Sequence, residues 1–168
     1  MIRAEGRRRY SAALIIRFLV LQSLTVQSTA ALAVELTDAV GDTLVLDAPA
    51  QRIVTLAPHL AELVYLAGAG DRLLATVAYS DHPPAAEALP RIGDAFRFDL
   101  ERLMALAPDL VIAWDSGNPE AALATMDQLG LPVWRTKIDG VPAMATLLRD
   151  IGRATDLDTE ATARAVED

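Results

Sequence analysis

Cysteine is absent from all 168 residues. That excludes a disulfide framework, a thiolate metal site, a cysteine nucleophile and a lipid-attachment cysteine behind a leader. Histidine is scarce as well. His59 and His82, even with Asp81, fall short of the three or four ligands a zinc site needs, so no metal site is expected. The chain has no G-x-S-x-G elbow, no P-loop and no G-x-G-x-x-G turn. Gly68-Ala69-Gly70 follows a helical pattern and reads as a cap. Glu101, Asp109 and Asp115 show no acid/base pairing that the sequence alone establishes. The residues therefore offer no catalytic group and no resident cofactor. Aromatics make up only 5% of the chain, which gives each of them weight.

The basic residues are unevenly spread. Residues 1–33 hold five arginines (Arg3, Arg7, Arg8, Arg9, Arg17) and one acid, Glu5. The remaining chain carries ten basic and twenty-two acidic side chains, a net charge of −12. A body this acidic does not bind nucleic acid or an anionic membrane through bulk charge. The basic start, the apolar middle from Ala12 to Val26 and the small-x-small triplet Ala31-Leu32-Ala33 read as a signal peptide over residues 1–33. Arg17, Gln22 and Gln27 interrupt the apolar run and make it a poor membrane span.

From Val34 the chain alternates strands and helices. Val34–Thr37 and Thr43–Leu46 form a hairpin around Gly41-Asp42. Arg52–Leu56 reads as a buried strand, Leu60–Leu66 as a helix and Leu73–Val77 as a second strand. Two prolines, Pro83 and Pro84, keep the next segment from being helical. Asp99 caps a helix whose apolar face is Leu100, Leu103, Met104 and Ala107, and Pro108 stops it. Leu110–Ala113 is apolar without alternation, as in a strand covered on both faces. Pro119 to Leu129, Val141 to Ile151 and Glu160 to Asp168 read as helices, with Val133–Arg135 as a strand. Gly152 is taken to end the helix before it. The fold class is α/β: a Rossmann-like parallel sheet with helices on both faces, preceded by a short hairpin.

Open α/β sheets bind ligands at the carboxyl ends of their strands. Tyr79, Trp114 and Trp134 lie at or near such ends, and large aromatics there suit a flat, partly apolar ligand. Trp134 sits inside its strand and reads as packing. Tyr79, in a Pro-rich loop after a strand, reads as a ligand contact. Asp115 follows Trp114 at the same end, and His59 lies on a neighbouring loop of the rim.

Three stretches together resemble a known family. They are Ile53-Val54-Thr55-Leu56-Ala57-Pro58 with Glu62-Leu63, then Tyr79-Ser80-Asp81-His82-Pro83-Pro84, then Leu100-Glu101-Arg102-Leu103 with Ala107 to Trp114. They are similar to the helical-backbone periplasmic binding proteins of ABC importers, over about Arg52 to Gly152. The Tyr79–Pro84 loop and the Trp114–Asn118 run resemble the cobalamin-binding members. The resemblance implies two α/β lobes joined by a long helix, with ligand held between them, and a monomer in the periplasm. It implies cobalamin as a transported ligand, and an ABC permease as partner. Tyr79, Trp114, Phe96, His59 and Asp115 become candidate ligand contacts, and Glu101 a candidate permease-docking residue. Ala61 departs from the family's usual threonine. Ala95 stands where some cobalamin binders have tryptophan, with Phe96 adjacent. The expected organisation is a signal peptide over 1–33, an N-terminal lobe over 34–155, and the start of an inter-lobe helix over 156–168, without the second lobe. A ferric-siderophore or haem binder of the same superfamily would want basic groups in the cleft, for which Arg97, Arg135 and Lys137 are the candidates. An exported α/β enzyme would need a nucleophile or ligand set that is not found. A stand-alone partner-binding lobe would leave its apolar rim exposed.

Overall fold

A computed structural model of the protein describes residues 33–168. All but the last residue of the expected signal peptide lies outside them. The elements, in order, are a hairpin of β1 (Val34–Thr37) and β2 (Thr43–Leu46), β3 (Ile53–Thr55), α1 (Pro58–Leu66), a 3-10 turn (Gly70–Arg72) and β4 (Leu73–Ala75). There follow α2 (Pro84–Glu87), α3 (Leu100–Ala105), β5 (Leu110–Trp114), α4 (Glu120–Gln128), β6 (Val133–Thr136), α5 (Val141–Thr155) and α6 (Glu160–Glu167).

The four later strands form one sheet in the order β4-β3-β5-β6, and every pairing is parallel. The apolar run of β5 lies at its centre, and its alternate residues serve two cores. Leu110 and Ile112 join Ile53, Leu60, Trp134, Leu148 and Ile151 on one face. Val111 and Ala113 join Val54, Leu103, Leu123, Met126 and Val133 on the other. This is why β5 shows no polar alternation: neither of its faces meets water. Helices α1 and α5 cover the first face, α3 and α4 the second.

Local chemistry sets the boundaries. Asp99 Oδ1 accepts the Arg102 backbone N–H at 2.9 Å, capping α3. Beyond Pro108, the Asp109 carboxylate accepts the N–H groups of Gln51 and Arg52 at 2.9 and 2.8 Å. One acid thereby aligns the starts of β3 and β5. Arg52 donates to the carbonyls of Ala107 and Leu106 at the end of α3.

Several boundaries differ from the sequence reading. Helix α1 starts at Pro58, two residues early, because proline suits the first turn. Pro84 opens the short helix α2 for the same reason, within a stretch expected to be irregular. Pro119 is the cap of α4 and lies just outside it. Helix α5 continues through Gly152 to Thr155. Gly152 is there for close approach: a Cβ would fall 2.4 Å from Thr159 Oγ1 and 2.7 Å from the Leu157 carbonyl. Helix α6 is further held to α5 by Arg149, which bonds Glu160 at 3.0 Å and both oxygens of Glu167 at 3.1 Å. Among the described residues, no helix is long and apolar enough to cross a membrane.

Candidate functional site

The strand order creates a crevice. From β3 the chain passes through α1 on one face to β4, whereas from β5 it passes through α4 on the other face to β6. The loops leaving β3 and β5 therefore diverge, and ligands settle at such switch points. His59 follows β3 and Trp114 ends β5. Their rings meet edge to face, with centroids 5.2 Å apart and planes at 89°. Both are half-buried.

The remaining rim is built by a chain of backbone bonds. Beyond β4, Ala78 N–H donates to Gly93 O at 2.8 Å, fastening the Tyr79 loop to the turn that carries Phe96. That turn closes on itself. Asp94 Oδ1 accepts the N–H groups of Phe96 and Arg97 at 2.8 Å each, and Asp94 N–H donates to Arg97 O at 3.0 Å. Tyr79 and Phe96 stand out from this frame at 81% and 67% exposure.

Tyr79 adopts φ +67, a conformation that non-glycine residues rarely take. What holds it lies beneath. Ser80 is buried, and its hydroxyl sits 2.8 Å from that of Thr76, which accepts from Thr55 Oγ1 at 2.9 Å. Arg91 donates to the Ser80 carbonyl at 2.9 Å. Strain of this kind persists only where neighbours over-determine the backbone, and it concentrates at functional positions.

Asn118, buried at 6% exposure, was missed as a site residue in the sequence reading. Its Oδ1 accepts the Trp114 N–H at 2.7 Å, and its Nδ2 donates to Leu56 O and Ala95 O at 3.0 Å each. The loop Ser116-Gly117-Asn118 and the family resemblance of the Trp114–Asn118 run were the available signals, and neither reaches Leu56 and Ala95, which are remote in sequence. Gly117 lies against Trp114 so closely that a Cβ would fall 2.0 Å from ring carbon Cε3.

The structure thus brings Tyr79, Phe96, Trp114 and His59 onto one linked rim. Asp115 is half-buried beside Trp114, and its backbone N–H donates to Thr136 O at 2.9 Å, which pairs the main chain there with the exit of β6. Glu101 is exposed in the first turn of α3. Helices run back antiparallel to the strands they precede, so this turn lies at the same edge of the sheet as the rim. Among the described residues Glu101 makes no ion pair, and no group of three or more His, Asp or Glu side chains is placed to hold a metal ion. Trp134 is buried in the core, as expected. Two depressions of about 760 and 370 Å3 lie elsewhere, against α5.

Burial holds the His59 imidazole below its ordinary value of 6.5, against an opposing pull from Glu62. The unfolded chain therefore takes up this proton first on acidification, and the fold loses stability as the pH drops below 6.5. Glu160 and Glu167, held low by hydrogen bonds from Arg149, act in a separate window below 4.5. The His59→Gln variant is expected to lose less stability than the parent between about pH 7 and pH 5. Urea midpoints across that range test this, and parallel slopes would remove His59 as a buried neutral group.

Comparison with known proteins follows the same lines. The family model for periplasmic binding proteins matches residues 53–165. A vitamin B12-binding protein of Vibrio campbellii is 40% identical over 108 residues, covering 64% of this chain and 39% of the relative. The crystal structure of the periplasmic vitamin B12-binding protein BtuF of Vibrio cholerae superposes with a TM-score of 0.63 at 35% identity, over 70% of this chain and 46% of that one. A periplasmic heme-binding protein from Pseudomonas aeruginosa superposes with a TM-score of 0.62 at 26% identity, over 69% of this chain and 41% of that one. The chain spans less than half the length of each of these relatives. With two parallel-sheet cores, a switch-point rim and a family match across both, the chain belongs to the periplasmic binding protein family.

Proposed function

We propose that this chain is one ligand-binding lobe of a periplasmic solute-binding protein that captures cobalamin for an ABC importer. The observation that carries the reading is the rim itself: Tyr79, Phe96 and Trp114 presented together at the switch point of a parallel sheet. A corrin is broad and flat with an apolar face, and aromatic rings on a rigid frame match it at low entropic cost. His59 and Asp115 flank Trp114 as further contacts. Glu101 is the docking residue for the permease, displayed on the edge that also offers the ligand. Residues 1–33 act as the export signal, 34–155 as the lobe, and 156–168 as the start of the connection to a second lobe. Cobalamin is cargo here, and the residues perform no chemical step on it.

The haem reading has support from the Pseudomonas aeruginosa neighbour. Haem carries propionates, which want basic partners. Of the three basic candidates, Arg135 is bound to Glu120 and Asp127 at 3.1 and 2.7 Å, and Lys137 to Asp139 at 2.8 Å. Among the described residues Arg97 is the one of these three that makes no ion pair, which favours the uncharged corrin.

Isothermal titration of the chain with cyanocobalamin and with haemin tests this. One lobe gives half the contacts of a closed clamp, so a dissociation constant of roughly 100 µM for cyanocobalamin is expected, with haemin weaker. The Tyr79→Ala variant is expected to bind about tenfold less tightly. Saturable binding of haemin and none of cyanocobalamin, by this chain and by a two-lobed form alike, would overturn the cobalamin reading.

A further inference from the structure

We propose that Asn118 is the positioning residue that makes one rigid unit of the Phe96 turn, the Trp114 platform and the exit of β3. The inference rests on the reading of this rim as the ligand face. Three loops from different parts of the chain converge on one buried amide. The bonds to Trp114 N–H, Leu56 O and Ala95 O use both of its N–H donors and one acceptor position. Asn118 N–H also donates to Trp114 O at 2.8 Å, so the loop from Trp114 to Asn118 is closed by its own ends. The amide has one workable orientation, because the reverse would set its oxygen against two carbonyls and its nitrogen against an N–H.

No other bond described between the Phe96 turn and the β5 exit duplicates the one to Ala95 O. The far side of the turn is held independently, by Ala78 N–H on Gly93 O. Losing the amide therefore frees the near side of the turn and leaves the Tyr79 loop in place. A mobile Phe96 and Trp114 must be ordered by the ligand on binding, which weakens affinity without removing a single contact atom.

Two substitutions separate positioning from general support. Asn118→Ala removes all three side-chain bonds. Asn118→Asp keeps an acceptor for Trp114 N–H but turns a carboxylate oxygen towards the carbonyls of Leu56 and Ala95. When protonated, that carboxyl donates to one of them again. The ionisable groups nearby are His59 beside Trp114, Glu62 next to it on α1, Asp94 and Arg97 in the turn, Asp115 after Trp114, Lys137 at the β6 exit and Glu120 on α4. All are present in both variants, so the alanine form records their contribution.

Amide hydrogen exchange read by mass spectrometry, with protection compared to the parent at equal pH, is the test. In Asn118→Ala, residues 93–98 and 114–117 are expected to exchange about tenfold faster, with 34–46 and 79–83 unchanged. Asn118→Asp is expected to match alanine at about pH 8 and to regain protection by about pH 5.5, while alanine stays flat. Loss of protection over the whole chain, or an aspartate form that tracks alanine at every pH, overturns the proposal. Titration with cyanocobalamin is read separately. If the parent binds and Asn118→Ala binds equally well, positioning is refuted. If the parent fails to bind, the cobalamin reading fails, and the exchange pattern still decides the role of Asn118.

Discussion

Replacing Trp134 by alanine is expected to lower the unfolding free energy by about 3–5 kcal/mol, a large fraction of the roughly 5–15 kcal/mol that holds an ordinary domain folded. The side chain is 2% exposed and lies in the core shared by Leu36, Ile53, Ile112, Leu148 and Ile151. Its indole N–H donates to Thr37 O at 3.1 Å, and next to it Ala39 N–H donates to Arg135 O at 2.8 Å. The indole thus fastens the hairpin to the edge strand β6. Truncation opens a cavity under the hairpin and strands the Thr37 carbonyl, so the packing and hydrogen-bond losses add. Trp134→Phe keeps most of the volume and loses the donor, and about 1 kcal/mol is expected. Urea unfolding followed by far-ultraviolet circular dichroism measures both. A loss under about 1 kcal/mol for the alanine form would mean that the hairpin is held elsewhere.

The two tryptophans show how far a sequence carries such an argument. Both sit on strands of one sheet. The apolar run around Trp114 ends at Asp115, so the ring was legible as a strand-end residue. Trp134 lies one strand over, inside the expected strand Val133–Arg135, and that placement marked it as core; the strand in fact runs on to Thr136. The hairpin and the doubly covered β5 were readable because each is set by neighbours in sequence: turn residues and an unbroken apolar run. The helix before Pro108 was read too long: α3 ends at Ala105, Ala107 lies beyond it at φ +43, and of the expected apolar face Met104 and Ala107 are exposed and only Leu103 is fully buried. Gly152 was misread because a glycine within a helical pattern has two meanings. It can end a helix, or it can make room for another element, and only the position of Thr159 decides between them. Arg135 was legible as a basic residue near the cleft. Alternation along β6 turns its side chain instead towards Glu120 and Asp127 on α4. Asn118 and the Thr55–Thr76–Ser80 hydroxyl chain were out of reach for a different reason. Their partners are 62, 23, 21 and 4 residues away, and all but the last are joined only by the fold.

Gly117→Val is expected to weaken cyanocobalamin binding by tenfold or more, about 1.4 kcal/mol, while costing little stability. A Cβ at this position lies 2.0, 2.2 and 2.3 Å from three carbons of the Trp114 ring, a separation that no real contact tolerates. Either the ring or the loop must move. The loop is closed by Gly117 N–H and Asn118 N–H on Trp114 O at 3.1 and 2.8 Å, and by the Asn118 amide on Trp114 N–H. The ring is the softer element, being only half-buried at the margin of the first core, edge-on to His59. It is therefore driven off its platform, and the rim loses its middle aromatic while Tyr79 and Phe96 remain. Gly130→Ala supplies the control. Its φ of +74 makes any side chain costly, by about 1 kcal/mol, but a Cβ there meets nothing within 4 Å and lies at the end of α4, away from the rim. A contact role for Trp114 requires the two variants to separate: Gly117→Val loses affinity at near-parent stability, and Gly130→Ala loses stability at parent affinity. If Gly117→Val binds as the parent does, Trp114 packs the loop and touches no ligand, and the recognition surface shrinks to the two exposed rings at the β4 exit and its neighbouring turn.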